Sequence, residues 1–269
     1  MISFAETFGA TILSFIVPAF AGLLVISAVA KRLKGIYLAA FGVGIYLWFF
    51  SDTISDAAYL SVDSGFTGGA WHFLVWLVFG IGLVTLFGSD RSLFSKSSEA
   101  ASSSLMVPIL LAIAIGIHGF GEGAAIGATA ATAPGGDLLD AFGGASAGLA
   151  FVLHKALEPV MVGVAYWVYA RDRAKGFSAT IKDISLLAVV FSLPGIVGSA
   201  VAYYLVQVYP NADFSYVFAL GLGTSIYALA RLTRPLFTAE GTSGSDSLKV
   251  GLMLLLGFTC LYLAALLHS

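Results

Sequence analysis

Four ionisable side chains in two matching pairs carry the chemistry available to this chain. His118 and Glu122 lie in the stretch His118-Gly119-Phe120-Gly121-Glu122-Gly123, and His154 and Glu158 lie in His154-Lys155-Ala156-Leu157-Glu158-Pro159. In each pair the histidine and the glutamate are four residues apart. On a helix that spacing puts both side chains on one face, roughly 6 Å apart. Two imidazoles and two carboxylates form an N2O2 donor set, which suits zinc and other first-row divalent metals. All four residues fall within long apolar runs, where ionisable groups are costly and serve ion paths or ligand sites by default. The plainer alternative is four unrelated polar residues satisfied by helix–helix hydrogen bonds.

The elements that must position these residues are membrane-spanning helices. The chain has 269 residues, 59% hydrophobic and 10% charged. Soluble domains carry roughly 25% charged residues, so the composition predicts an all-α integral membrane protein forming a single polytopic domain over residues 1–269. Eight apolar runs approach or exceed the roughly 20 residues needed to span a bilayer. They cover about 8–30, 36–60, 70–88, 105–129, 142–170, 184–208, 214–232 and 248–268. Unbroken runs of this kind are helices rather than barrel strands. The first run has no basic segment before it and is too long for a signal-peptide core, so it reads as a retained span.

Lysine and arginine set the expected orientation. Of 13 such residues, Lys31, Arg32 and Lys34 follow the first run, and Arg91 and Lys96 follow the third. Arg171, Arg173, Lys175 and Lys182 follow the fifth, and Arg231, Arg234 and Lys249 lie at or beyond the end of the seventh. The intervening loops hold acids instead, among them Asp63, Asp137, Asp140 and Asp213. Both termini are therefore expected outside the cytoplasm, with the four basic loops inside. Lys155 is the remaining cation, in the middle of the fifth run. Antiparallel packing of the fourth and fifth runs would set His118 against Glu158 and Glu122 against His154. Pro159 removes a backbone donor and frees a carbonyl one turn earlier, beside Lys155.

Other features are less specific. Asp52 and Asp56 lie toward the outer end of the second run, where they either draw cations into an entrance or cap a solvated helix end. His72 and His268 read as interfacial, and the four tryptophans as belt or packing residues. Arg231 either pairs with an acid such as Glu240 or reaches to the headgroups. Gly42-Val43-Gly44 precedes Asp52 by ten residues, as Gly221-Leu222-Gly223 precedes Arg231. These two runs point in opposite directions, as inverted repeats of a transporter would. With one cysteine, Cys260, no internal disulfide is available. A net charge of -2 without a basic patch gives no reason to expect nucleic acid.

The segment from His118 to Gly127 resembles the fourth-span signature of the ZIP metal transporters, His-Asn-x-x-Glu-Gly-x-x-x-Gly. His154 to Glu158 resembles that family's fifth-span His-Glu-x-Pro-Glu. The resemblance implies eight spans in a 3+2+3 order with inverted outer repeats. It implies movement of a divalent metal into the cytoplasm, with His118, Glu122, His154 and Glu158 as metal ligands. Gly119 stands where the family has Asn, and Lys155 where it has an acid, the two positions that help build a second metal site. Lys155 would then be a counter-ion to Glu122 or Glu158 in place of that second metal. Leu157 replaces the motif's proline. Asp52 and Asp56 keep the spacing of a His-x-x-x-Glu near the outer face, and Arg231, with Arg234 after it, stands where the family has an acid at the inner exit.

The expected function is transport of divalent cations through a one-metal site, zinc first, with iron, manganese, cobalt or cadmium as alternatives. The metal is substrate, and no organic cofactor is expected. The expected partners are the metal and the lipid bilayer of the plasma membrane, with a homodimer kept beside a monomer. Two further readings stay open. One is an intramembrane zinc-dependent hydrolase, which four ligands disfavour because catalytic zinc keeps an open position. The other is a metal-bound membrane protein that does not transport. No H-E-x-x-H or Ser/His pair suggests an enzyme.

Overall fold

The computed structural model describes residues 2–56, 69–90, 105–133, 136–170, 176–210, 212, 214–238 and 244–266. Among these the regular elements are helices throughout: α1 (Phe4–Ala30), α2 (Gly35–Asp56), α3 (Gly69–Ser89), α4 (Met106–Thr132), α5 (Ala145–Leu157), α6 (Pro159–Tyr169), α7 (Phe177–Val208), α8 (Ser215–Thr238) and α9 (Gly244–Ala265). Seven segments among the described residues, α5 and α6 counting as one, are long and apolar enough to cross a membrane. The run expected at 70–88 forms α3, whose apolar part, Phe73–Ser89, is shorter than those seven. The protein is thus an all-helical, multi-pass type of chain.

Local sequence explains the helix ends. Ser3 caps α1: its hydroxyl accepts from the Glu6 backbone N–H while Glu6 accepts from the Ser3 N–H. This reciprocal pair satisfies donors that the first turn leaves open. Between α4 and α5, Asp137 and Asp140 form a second capping box on a short 3-10 turn, Leu138–Phe142. Gly143 and Gly144 then adopt φ of 80° and 98°, a backbone that favours glycine, and so redirect the chain into α5.

The run expected as one span over 142–170 is divided at Glu158–Pro159. The Glu158 N–H still donates to the His154 carbonyl at 2.9 Å. Pro159 has no N–H for the Lys155 carbonyl, so the ladder is interrupted there. Glu158 sits at that interruption.

Close helix contacts are made by glycine. A Cβ on Gly44 of α2 would run into the backbone of Leu254 and Phe258 on α9, and one on Gly257 of α9 into Phe41 and Ile45 on α2. The same reciprocal contact joins α8 and α3: Gly223 meets Phe79 and Leu83, and Gly82 meets Leu220 and Thr224. The Gly-x-Gly segments of α2 and α8 therefore do the same packing work against different partners. On α4, Gly123 and Gly127 lie against the carbonyls of Gly195 and Ser199 on α7. That leaves α4 close-packed on one side and free to present His118 and Glu122 on another. Two buried hydrogen bonds tie α8 into the bundle: Thr224 donates to the Ala114 carbonyl of α4 at 2.8 Å, and Ser225 meets Tyr46 of α2 at 3.2 Å.

Candidate metal centre

His118 is held in the middle of α4, 2% exposed. Its ring stands edge-on to Phe49 of α2, with centroids 5.1 Å apart, and lies 5.3 Å from Phe218 of α8. Gly221 of α8 lies directly against the His118 backbone. Packing on both sides fixes the imidazole. Nε2 lies 3.7 Å from Glu122 Oε1, and Nδ1 is buried without a hydrogen-bonding partner among the described residues. One donor atom each from His118, Glu122 and Glu158 come within 4.8 Å of one another. An imidazole and two carboxylates at that range form a three-ligand set of the kind divalent first-row metals accept.

Lys155 is inside the same cluster. It is fully buried, and its Nζ donates to Glu158 Oε2 at 2.6 Å while also pairing with Glu122 Oε2. Around the ammonium stand the rings of Phe15, Phe191 and Phe151, with centroids 5.5, 5.7 and 5.8 Å away. Phe15 and Phe151 pack edge-on at 5.2 Å. Gly119 faces this wall: a Cβ there would lie 3.3 Å from Phe15 Cε1 and 3.7 Å from Glu122 Oε2. A larger residue at 119 would press on Phe15.

His154 stands outside the close trio. It lines, with Asp52, Glu122, Phe142, Phe151 and Phe218, a cavity of about 480 Å³ at the end of the bundle where α2, α4 and α9 finish. His118 and Glu158 come together with Glu122, which lines the cavity beside His154. Glu122 also engages Lys155, so it belongs both to the trio and to the cavity wall that His154 lines. Asp52 reaches the same cavity from α2. Asp56 closes α2, but its side chain, like that of His72 and all of His268 and Glu240, lies outside the described residues.

Arg231 occupies a different place. It is fully buried on α8, and its Nε donates to Asp90 Oδ2 at 2.7 Å, with the guanidinium Nη2 also on that oxygen. Tyr227 donates to the same oxygen at 2.5 Å, and Tyr169 of α6 donates to the Arg231 carbonyl at 2.6 Å. The guanidinium lies over both tyrosine rings, at 5.9 Å from Tyr169 and 5.8 Å from Tyr227. It neither reaches to headgroups nor presents a bare charge. Sequence reasoning missed Asp90, which follows Gly88-Ser89 and reads as the start of a loop. The signal for it was the need of a buried arginine for an acid at the same depth. Arg234 follows on the next turn, half-buried.

Comparison with protein-family models finds no match, and comparison with curated proteins finds no significant relative. The geometry therefore carries the reading alone. A helical, apolar chain with a His/Glu trio, His118 and Glu158 buried and Glu122 half-buried, fits a metal-binding membrane protein.

Proposed function

We propose that this protein is a transporter of divalent metal cations, similar to the ZIP family, that carries one metal at a time through His118, Glu122 and Glu158 into the cytoplasm. The observation that carries this reading is the trio itself: three ligand atoms within 4.8 Å, placed mid-helix and reached from a cavity lined by Asp52 and His154. Ionisable groups at that depth mark ion paths. In this reading α3 makes an eighth crossing, both termini lie outside the cytoplasm, and the cavity is the extracytoplasmic entrance. The reciprocal glycine contacts of α2 with α9 and of α8 with α3 support inverted outer repeats around a central pair of spans.

Asp52 and His154 form the approach, and His118, Glu122 and Glu158 the transported site. Lys155 competes with the metal for both carboxylates and fills the region a second metal would need. The buried Arg231–Asp90 pair closes the opposite end of α3 and α8. Zinc suits the donor set, with iron, manganese, cobalt and cadmium as competitors whose order affinity alone does not decide.

One observation favours a second reading. Three protein ligands are what a catalytic zinc site keeps, so the trio fits an intramembrane hydrolase better than four ligands would. Against it, an ammonium rather than a nucleophile or general base stands on two of the three. Isotope uptake into proteoliposomes separates the readings: protein-dependent, saturable accumulation supports transport, and zinc binding without accumulation supports the rivals.

A further inference from the structure

Lys155 does more than block a second metal. Its ammonium sits where a cation would sit, shared between a carboxylate of α4 and one at the α5–α6 junction, and walled by three phenyl rings. It is attached to the chain and cannot leave. Resting on the transport reading above, we propose that Lys155 is a tethered substitute for the transported metal, which lets the empty carrier return without a counter-substrate.

The reason is charge. A carrier must cycle loaded one way and empty the other, and the cost of moving a buried charge through a low dielectric grows steeply with its size. Two carboxylates alone would leave an empty site with two negative charges and a zinc-loaded site with none. The empty return would then be the slow step, and metal would exchange for metal far faster than it accumulated. With one ammonium added, the empty site carries one net negative charge and the loaded site one net positive charge. The two half-cycles then face costs of similar size. Phe151 lines both the ammonium and the entrance cavity. Its ring offers the displaced ammonium a cation–π surface once metal takes the carboxylates.

The test compares two zinc fluxes through the full chain in liposomes held at zero potential. Net uptake is measured into metal-free vesicles, and exchange with equal zinc on both sides. In the wild type, net uptake should lie within about threefold of exchange. A wild-type exchange rate more than about tenfold faster than net uptake would overturn the proposal without any variant. In Lys155→Met the ratio of exchange to net uptake should rise at least about tenfold over wild type, because the loaded site loses its net charge while the empty site gains one. Lys155→Arg should keep the wild-type ratio. Zinc affinity of solubilised Lys155→Met should rise at least several-fold, because no ammonium has to be displaced. Equal loss of both fluxes in Lys155→Met, an unchanged ratio, or unchanged affinity would each contradict the substitute role. Absence of both fluxes in the wild type would overturn the transport reading itself, and this inference with it.

Discussion

Lys155 and Glu158 are one helical turn apart, and the Lys155 Nζ lies 2.6 Å from Glu158 Oε2 with both residues buried. The same ammonium reaches across to Glu122 on α4. A charged group at this depth costs roughly 2.5–3.5 kcal/mol or more unless it is paired, and pairing with two carboxylates offsets that cost. The shared ammonium ties α4 to the α5–α6 segment.

Reversing that charge should change the metal count. Lys155→Glu removes the ammonium and adds a carboxylate, so metal bound per protomer should rise from about one to about two. Elemental analysis of purified protein after dialysis reads this directly. Gly119→Asn should help less than composition suggests, because a side chain there presses on Phe15. Two metals beside an unchanged Lys155 would rule the idea out.

The Arg231–Asp90 pair is buried and closely hydrogen-bonded, so breaking it on one side should be costly. Asp90→Asn or Arg231→Met should each destabilise by about 3–5 kcal/mol, because each leaves an uncompensated partner. The double variant Asp90→Asn/Arg231→Met should lose much less than the sum. Thermal unfolding in detergent measures all three. Simple additivity would mean that the two groups do not act as a pair.

Two glycines of α9 give a matched contrast. A Cβ at Gly257 would run into the backbone of α2, whereas one at Gly251 meets nothing within 4 Å. Gly257→Ala should therefore destabilise by about 1–3 kcal/mol through overpacking. Gly251→Ala should be neutral or stabilising by up to about 1 kcal/mol through helix propensity. Equal effects on unfolding temperature would argue against the close α2–α9 contact.

Much of this was legible in the chain because apolar runs of spanning length are a strong signal and because paired His and Glu are rare in them. His118 and Glu158 could be set against each other from spacing and antiparallel order alone. What spacing could not give was that Lys155 pairs with Glu122 and Glu158 at once. That depends on how closely α4 and the α5–α6 junction approach in three dimensions. Asp90 was hidden for a related reason: its partner is 141 residues away, and only the packing of α3 on α8 brings the two together. The division at Glu158–Pro159, by contrast, follows from proline chemistry and was readable in advance.

The entrance should act through charge. Replacing Asp52 and Asp56 with asparagine should raise the apparent KM for metal more than it lowers the maximal rate. The effect should shrink with added salt, since exposed charges are screened over about 10 Å at 0.1 M. An unchanged KM at low salt would remove Asp52 from the path.

The most direct measurement is uptake of radioactive zinc into proteoliposomes by the wild type and three alanine variants. The wild type should show saturable uptake, and His118→Ala and Glu158→Ala should show rates at the protein-free background, although both proteins still fold. His154→Ala, outside the close trio, should keep uptake but with a KM raised by about tenfold or less. Normal uptake by His118→Ala or Glu158→Ala, or a wild-type rate no higher than that of empty liposomes, would contradict the central claim.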